Sequence, residues 1–490
     1  MKSFFIGCFL LIYSTTIFSQ ASNTWSVKFS DAIVARYQPT IDKMTGKGWE
    51  YSNSIILHGM EKVYANVPNA TYLNYIKAYV DAFVSSTGAI TGLAQSLDKI
   101  HPGILCLFLY EKTGQTKYKT AATNLRNYLL TGGYPKTPNG GYWHKNQAAY
   151  KNVMMADGMY MAHPFLAKYG RMFNDQACLD TAASQILMLN SKIFVSSTNL
   201  VKHAWNYDKT TFPWSDPTTG VSREVWSRGM GWYVMAIVDV LKYLPSTHPK
   251  YDALRTLLSN LAIGIKNTQN ATTGLWYDVV DKGTSSGNYL ETSGSGMFVY
   301  ALKVASDSGW ISSATYLPVA QKGWTGLKTK ISTYTDGKPQ INGFAPAMSV
   351  QNDYASYVAI TPVNCPTASG TQHPHGYAAI LMAASVMEFP LAPGFSANPA
   401  VAPVSDDNTV SWNAFPNPSS GQVTITYQSS KDQSTTLTLH DAAGMLLQSK
   451  RVSLKKGSNK IVWDISAEPT GVYFINVNQP GTSPLKVVRE

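Results

Sequence analysis

The sequence predicts a mainly α-helical fold, an (α/α)6 barrel followed by a small all-β sandwich at the C-terminus. Three observations predict it. From about residue 54 to 388, apolar residues recur at three- and four-residue steps, the helical period. The helical segments come in pairs whose partners are joined by short turns marked with Gly, Pro or Asn, as in EKTGQTKY (111–118) and YLPSTHPKY (243–251). After Pro390 the period changes to strict alternation of apolar and polar residues, with β-branched side chains between turn signals.

The first twenty residues, MKSFFIGCFLLIYSTTIFSQ, join a lysine to a long apolar run and a small polar exit, the pattern of a secretory signal. Residues 21–389 then form the barrel. Helices are expected at 54–66 with 71–86, 100–112 with 117–130, 155–169 with 176–190, 229–244 with 251–268, and 292–306 with 313–330, and a last one starts near Gly376. Roughly six such hairpins in a row suggest a closed toroid of inner and outer helices. The links between successive pairs are longer and carry the polar and aromatic motifs, which favours a closed barrel with its site at one end over an open solenoid. Residues 390–410 are rich in Pro, Ala and Ser and read as a linker. Beyond them QVTITYQ, TTLTLHD, KIVWDIS and GVYFINV make residues 411–490 an antiparallel sandwich.

Composition narrows the function. The chain has 490 residues, 12% of them aromatic and only 14% charged, a balance that suits a carbohydrate cleft in which sugar faces stack on rings. A net charge of +11 favours an anionic partner, yet it is spread without Lys/Arg blocks, which argues against nucleic acid. Past the signal, Cys106, Cys178 and Cys365 are odd in number and widely spaced, so neither a disulfide framework nor a metal set is expected. No later run is long and apolar enough to span a membrane, and no cofactor is expected.

The stretch Asn152 to Gly170 organises the barrel's chemistry. It reads as an amphipathic helix with one acid, Asp157, in its first turn. Such a carboxylate is ordinarily a capping residue. Its neighbours in the chain suggest more, because Asp98 and His101 stand at a helix start upstream, and KHAWNYD and SREVWSRGMGW follow with His, Trp and Arg. These are residue types that hold and protonate a sugar acid.

LDKIHPGILCLFLYEKTG, PNGGYWHK, MMADGMYMAHPFLAKYG, KHAWNYD, WSRGMGWYVMAIVDVL, TGLWYDVVDK and GNYLETSGSGMFVYAL occur in this order between residues 97 and 302. Together they resemble glycoside hydrolase family 105, the unsaturated rhamnogalacturonyl hydrolases, akin to the unsaturated glucuronyl hydrolases. The resemblance implies an enzyme acting on oligosaccharides that carry a 4,5-unsaturated uronic acid at the non-reducing end. In that family one Asp protonates C4 of the vinyl ether and activates the water that adds at C5. Here the matching residue is Asp157, with Asp98 as the second catalytic acid. A helix N-terminus lowers a carboxyl pKa, so apolar burial or a second carboxylate must hold Asp157 protonated, and an ionised Asp98 is the natural candidate. His203, Arg228, Trp232, His144 and Tyr51 match substrate contacts, Arg228 offering a fork for the uronate and Trp232 a stacking plane. Glu291 reads equally as a helix cap or a contact. The chain departs from the family pattern at Asn206, where Asp is usual, at Met155, where Trp is frequent, and in about two extra residues between His144 and Asp157.

The tail in turn resembles the C-terminal sorting domain of the type IX secretion system, in FPNPSSG (415–421), DAAGMLL (441–447), PTGVYFINV (469–477) and the terminal KVVRE. This implies the type IX machinery as a partner and a protein that is secreted, surface-attached or periplasmic. Competing readings are a hydrolase of ulvan-type fragments, a polysaccharide lyase on a similar toroid, and a non-catalytic glycan-binding surface protein.

Overall fold

Twelve helices of eleven residues or more build the larger of the two units of the described chain. They are α1 (Trp25–Arg36), α2 (Tyr51–Asn66), α3 (Ala70–Phe83), α4 (Gly103–Thr113), α5 (Thr116–Leu130), α6 (Ala156–Phe173), α7 (Gln176–Ile193), α8 (Ser227–Leu241), α9 (Tyr251–Thr268), α10 (Thr292–Asp307), α11 (Ser313–Lys328) and α12 (His375–Met387). The structure is a computed structural model and describes residues 23–368, 372–389, 412–429, 431–441, 446–477 and 485–490. The expected signal (1–20) and linker (390–410) lie outside the described residues, as does part of the DAAGMLL motif.

The even-numbered helices form an inner ring. Every residue of α8 is buried, and so is α12 from His375 through Val386, because each is enclosed by neighbours on all sides. The odd-numbered helices lie outside with one apolar face inward; in α7 that face is Cys178, Leu179, Ala182, Ala183, Ile186, Leu189 and Ile193. Five helix pairs are consecutive hairpins, as the pattern predicts. The sixth is not a hairpin, for it joins the two ends of the barrel. Phe29 of α1 meets the Tyr377 ring of α12 edge-on at 5.9 Å, and the Glu388 carboxylate caps α1 by accepting from the Trp25 and Ser26 amides at 2.7 and 2.9 Å. Helix α1 escapes the sequence pattern because buried Ser26 and Ser30 interrupt its apolar stripe. The ring closes where α12 touches α2 so tightly that a Cβ on Gly59 would lie 2.8 Å from Leu381 Cβ.

Two further devices were not legible in the pattern. A three-stranded antiparallel sheet, Ile331–Thr333, Pro339–Phe344 and Val363–Cys365, fills the chain between α11 and α12. The long links are also stitched to one another by backbone hydrogen bonds, Leu97 N to His144 O, His144 N to Val153 O, Ala156 N to His203 O, His203 N to Glu224 O, and Ser227 N to Asp278 O. Distant links thus form one belt on the N-terminal side of the inner helices. All three described cysteines are buried and unpaired.

Residues from Trp412 onward form a separate unit of two antiparallel sheets. One has the strand order Leu446–Leu454, Gln433–Asp441, Gly471–Val477, Leu485–Arg489; the other has Gly457–Asp464, Gln422–Ser429, Trp412–Phe415. Alternate residues Val423, Ile425 and Tyr427 pack with Leu437, Leu439, Trp463, Ile475 and Val487 into the core between the sheets. Among the described residues no helix is long and apolar enough to cross a membrane.

Candidate active site

A cavity of about 220 Å³ opens where the inner helices begin. Tyr51 and His375 are the first residues of α2 and α12, and Asp157 and Arg228 are the second residues of α6 and α8; all four line it. Four helix N-termini therefore face one space, and their unpaired amides and macrodipoles make it favourable for an anion. Asp98, His144, Lys145, Tyr150, Trp226, Trp232 and a loop at Ala347–Ser349 complete the wall, with Met155 and Met161 as its apolar part.

Asp157 and His203 are 46 positions apart and meet through backbone geometry. The strand Val153–Met155 pairs antiparallel with Ala204–Asn206, Met155 opposite Ala204, and α6 starts immediately after it. This register sets the acid beside the imidazole, His203 Nε2 lying 3.1 Å from Asp157 Oδ2. His203 is fully buried and does not line the cavity. Its Nδ1 is 2.6 Å from the Tyr357 hydroxyl, and its ring packs on Trp226 at 4.6 Å between centroids. The expectation of a direct substrate contact is thus corrected: His203 stands behind Asp157. Packing here is close, for a Cβ on Gly229 would come 3.1 Å from His203 Cδ2 and 3.4 Å from Asp157 Oδ2.

The electrostatics also correct an expectation. Burial pushes the Asp157 carboxyl up, but adjacent His203, aided by His144 and Arg228, outweighs it and holds the pKa below the usual value. Asp98 does not act as the opposing charge, since it is itself neutralised by Lys145 Nζ at 2.8 Å, with His144 Nε2 3.5 Å away. His144, lowered by burial, lies on the cavity wall against α6, where a Cβ on Gly158 would come 3.0 Å from its Nδ1.

Arg228 reaches the wall, yet its fork is engaged. Nη1 donates to Ser293 Oγ at 3.3 Å and to the Ala345 carbonyl, and Nη2 donates to the Pro346 carbonyl. The guanidinium also lies over the Trp226 ring, 4.5 Å from its centroid. It brings charge to the cavity and anchors the loop that closes one side. Glu291 is a cap: it accepts from Ser293 N at 3.1 Å and from Gly294 N, and its Oε1 also accepts from Ala345 N at 2.9 Å. Trp232 lines the cavity and stacks on Tyr160, ring centroids 5.0 Å apart, so one of its faces is taken by protein. Tyr51 Oη is 3.2 Å from His375 Nε2, and burial raises the phenol and lowers the imidazole, so both are neutral at pH 7. Of the two substitutions noted in the motifs, Met155 lines the cavity, whereas Asn206 is buried in its strand and accepts from Asp208 N at 3.0 Å.

Sequence reasoning missed Lys145, Tyr150, Trp226, His375 and the 347–349 loop. Lys145 and Trp226 lie inside motifs already singled out, beside His144 and Arg228. His375 and the loop have no local signal, because only closure of the ring brings them in.

Comparison with known proteins agrees with this architecture. Residues 25–389 match Glycosyl Hydrolase Family 88, and residues 413–488 match the secretion system C-terminal sorting domain. The structure of a family 105 glycoside hydrolase from C. acetobutylicum ATCC 824 is similar at 30% identity and a TM-score of 0.68, covering 74% of this chain and 99% of that one. The unsaturated rhamnogalacturonyl hydrolase YesR of Bacillus subtilis is 25% identical over 258 residues, 52% of this chain and 70% of its own. The unsaturated glucuronyl hydrolase of Bacillus sp. GL1 shares the fold, with a TM-score of 0.52 at 12% identity over 75% of this chain and 95% of its own. The sorting domain implies export to the cell surface or the medium. With three quarters of its length matched and a family 105 structure covered almost entirely, the chain belongs to Glycosyl Hydrolase Family 88 and its family 105 relatives, and is a glycosidase of the (α/α)6-toroid type.

Proposed function

We propose that the protein releases a 4,5-unsaturated uronic acid from the non-reducing end of lyase-generated oligosaccharides of the rhamnogalacturonan type. One observation carries the reading: of the two buried acids on a cavity ringed by helix N-termini, Asp98 is paired with Lys145, whereas Asp157 faces the cavity and is backed by an imidazole at 3.1 Å. The cavity suits one anionic sugar rather than a polymer threaded through a groove. Asp157 protonates C4, water adds at C5, and the hemiketal so formed opens with loss of the glycosidic bond. Tyr51, His144, Arg228 and Trp232 bind the sugar, and Asp98 with Lys145 shapes the field around it. Methionines 155, 161 and 348 add an apolar wall that suits the methyl group of a 6-deoxy sugar next to the uronate. The name of the YesR relative points to the same substrate.

We place the catalytic domain at 21–389, a linker at 390–410 and the sorting domain at 411–490, with a signal peptide at 1–20 and delivery through the type IX machinery. The test follows the ultraviolet band of the uronate double bond with rhamnogalacturonan and ulvan disaccharides in separate cuvettes. Loss of absorbance, faster with rhamnogalacturonan, is expected. Faster loss with ulvan makes the enzyme a glucuronyl hydrolase of that class. A rise on intact polysaccharide makes it a lyase, and binding without change makes it a glycan-binding protein.

A further inference from the structure

We propose that Tyr357 is a positioning residue for the reaction, its phenol oxygen accepting the Nδ1 proton of His203 so that Nε2 delivers a proton to Asp157. The inference rests on Asp157 being the acid. Tyr357 comes from the short helix Tyr354–Val358, more than 150 positions from His203, and is fully buried. Its hydroxyl lies 2.6 Å from His203 Nδ1, and His203 Nε2 lies 3.1 Å from Asp157 Oδ2, an ion-pair contact that a small turn of the ring would align for proton transfer.

The polarity of that chain follows from proton counting. Asp157 must hold a proton to protonate carbon, yet its surroundings favour the carboxylate. If the Tyr357 hydroxyl donated to Nδ1, the neutral ring would carry its proton on Nε2, and handing it to Asp157 would leave an imidazolate, which is out of reach near neutrality. If Tyr357 accepts from Nδ1, the doubly protonated ring passes its Nε2 proton to Asp157 Oδ2 and remains a neutral imidazole. The new carboxylic acid gives the proton to C4 as the π pair forms the C4–H bond. Water then adds at C5 and gives one proton to Asp157, which passes it back to His203 Nε2, so the trio ends as it began. The tyrosine therefore keeps the Nδ1 proton in place while Nε2 gives up and regains the other, without touching substrate.

The charged and titratable groups facing this trio are His144, Arg228 and Tyr51 around Asp157, and Asp278 and Glu224 around Tyr357. None of them is altered by Tyr357→Phe. That variant should retain KM within about twofold, lose kcat by about tenfold, and move the alkaline limb of the kcat pH profile down by about one unit, the worth of one hydrogen bond to a charged group. A fall in kcat with an unshifted limb would mean a structural role only and overturn the inference. Should the variant fold poorly, 15N-histidine spectra of the wild type, with His203 assigned by its loss in His203→Gln, give a second reading. Nδ1 protonated throughout the active pH range supports the inference; Nδ1 bare there overturns it. Asp157→Asn separates the two levels, since turnover in that variant removes the underlying reading, whereas an inactive Asp157→Asn beside an unaltered Tyr357→Phe removes this one alone.

Discussion

Asp157 and Asp239 are both carboxylates buried on inner helices of one barrel, yet their surroundings differ in kind. Asp239, near the C-terminal end of α8, has both oxygens occupied: Lys242 at 2.9 Å and Tyr300 at 2.6 Å on one, Lys62 at 3.3 Å and Tyr160 at 3.4 Å on the other. These partners outweigh the burial that would raise its pKa, and the acid is held far below the usual range. Asp157, at the N-terminal end of α6, has one close imidazole and an open side toward the cavity. The difference teaches how a paired acid differs from one free to meet a ligand. Burial and a lowered pKa are common to both; of the two, Asp157 has the unfilled face that its proposed role requires.

The largest expected effect tests that contrast directly. Asp157→Asn should lower kcat by about a thousandfold or more, while the melting temperature and disaccharide binding stay near wild type. Turnover close to wild type in this variant would break the comparison. Asp239→Asn should do the reverse, costing about 3 kcal/mol in chemical denaturation because Lys62 and Lys242 lose a buried counter-charge, with kcat of the folded fraction preserved. A loss of kcat without loss of stability would put Asp239 in the chemistry.

Arg228→Lys sharpens the comparison at the cavity wall. A lysine keeps the charge but cannot hold Ser293 and the Ala345 and Pro346 carbonyls together, so KM should rise about tenfold with a smaller change in kcat. The mildest effect concerns pH. His101 in the lower interior is bound through Nδ1 to Ser54 Oγ at 2.7 Å, and burial lowers its pKa to about 3 from 6.5. The unfolded chain then takes up the proton first, so stability is complete above pH 6.5 and declines as pH falls toward 3. Thermal unfolding between pH 7 and 4 should show this decline, and His101→Gln should make it shallower while buried His58, His163 and His375, lowered in the same direction, sustain the rest.

Much of the cavity wall was legible because its residues sit in motifs at helix starts or in the links before them. Asp98, Asp157, Arg228, Trp232, His144 and Tyr51 all lie on the cavity wall, as their positions in the motifs suggest. Their detailed roles were less accessible. Arg228 reads as a free fork until the carbonyls of Ala345 and Pro346 are seen to engage it, and a contact between positions 117 and 118 apart has no trace in local pattern. His203 reads as a contact because it shares a link with Trp205, whereas strand register turns it behind the acid. The expected partnership of Asp98 and Asp157 failed for a similar reason, since Lys145 follows His144 in sequence but its pairing with Asp98 is a tertiary fact.

Local chemistry, period and spacing are properties of the chain alone, and they were enough for the helical barrel, the β tail and the acid at the start of α6. Short-range forces write these features into neighbouring residues. Ring closure by α1 and α12, the belt of links and the Tyr357–His203–Asp157 chain belong to the tertiary structure. Each depends on groups far apart in sequence whose pairing is decided by packing, and whose protonation is decided by what packing leaves beside them.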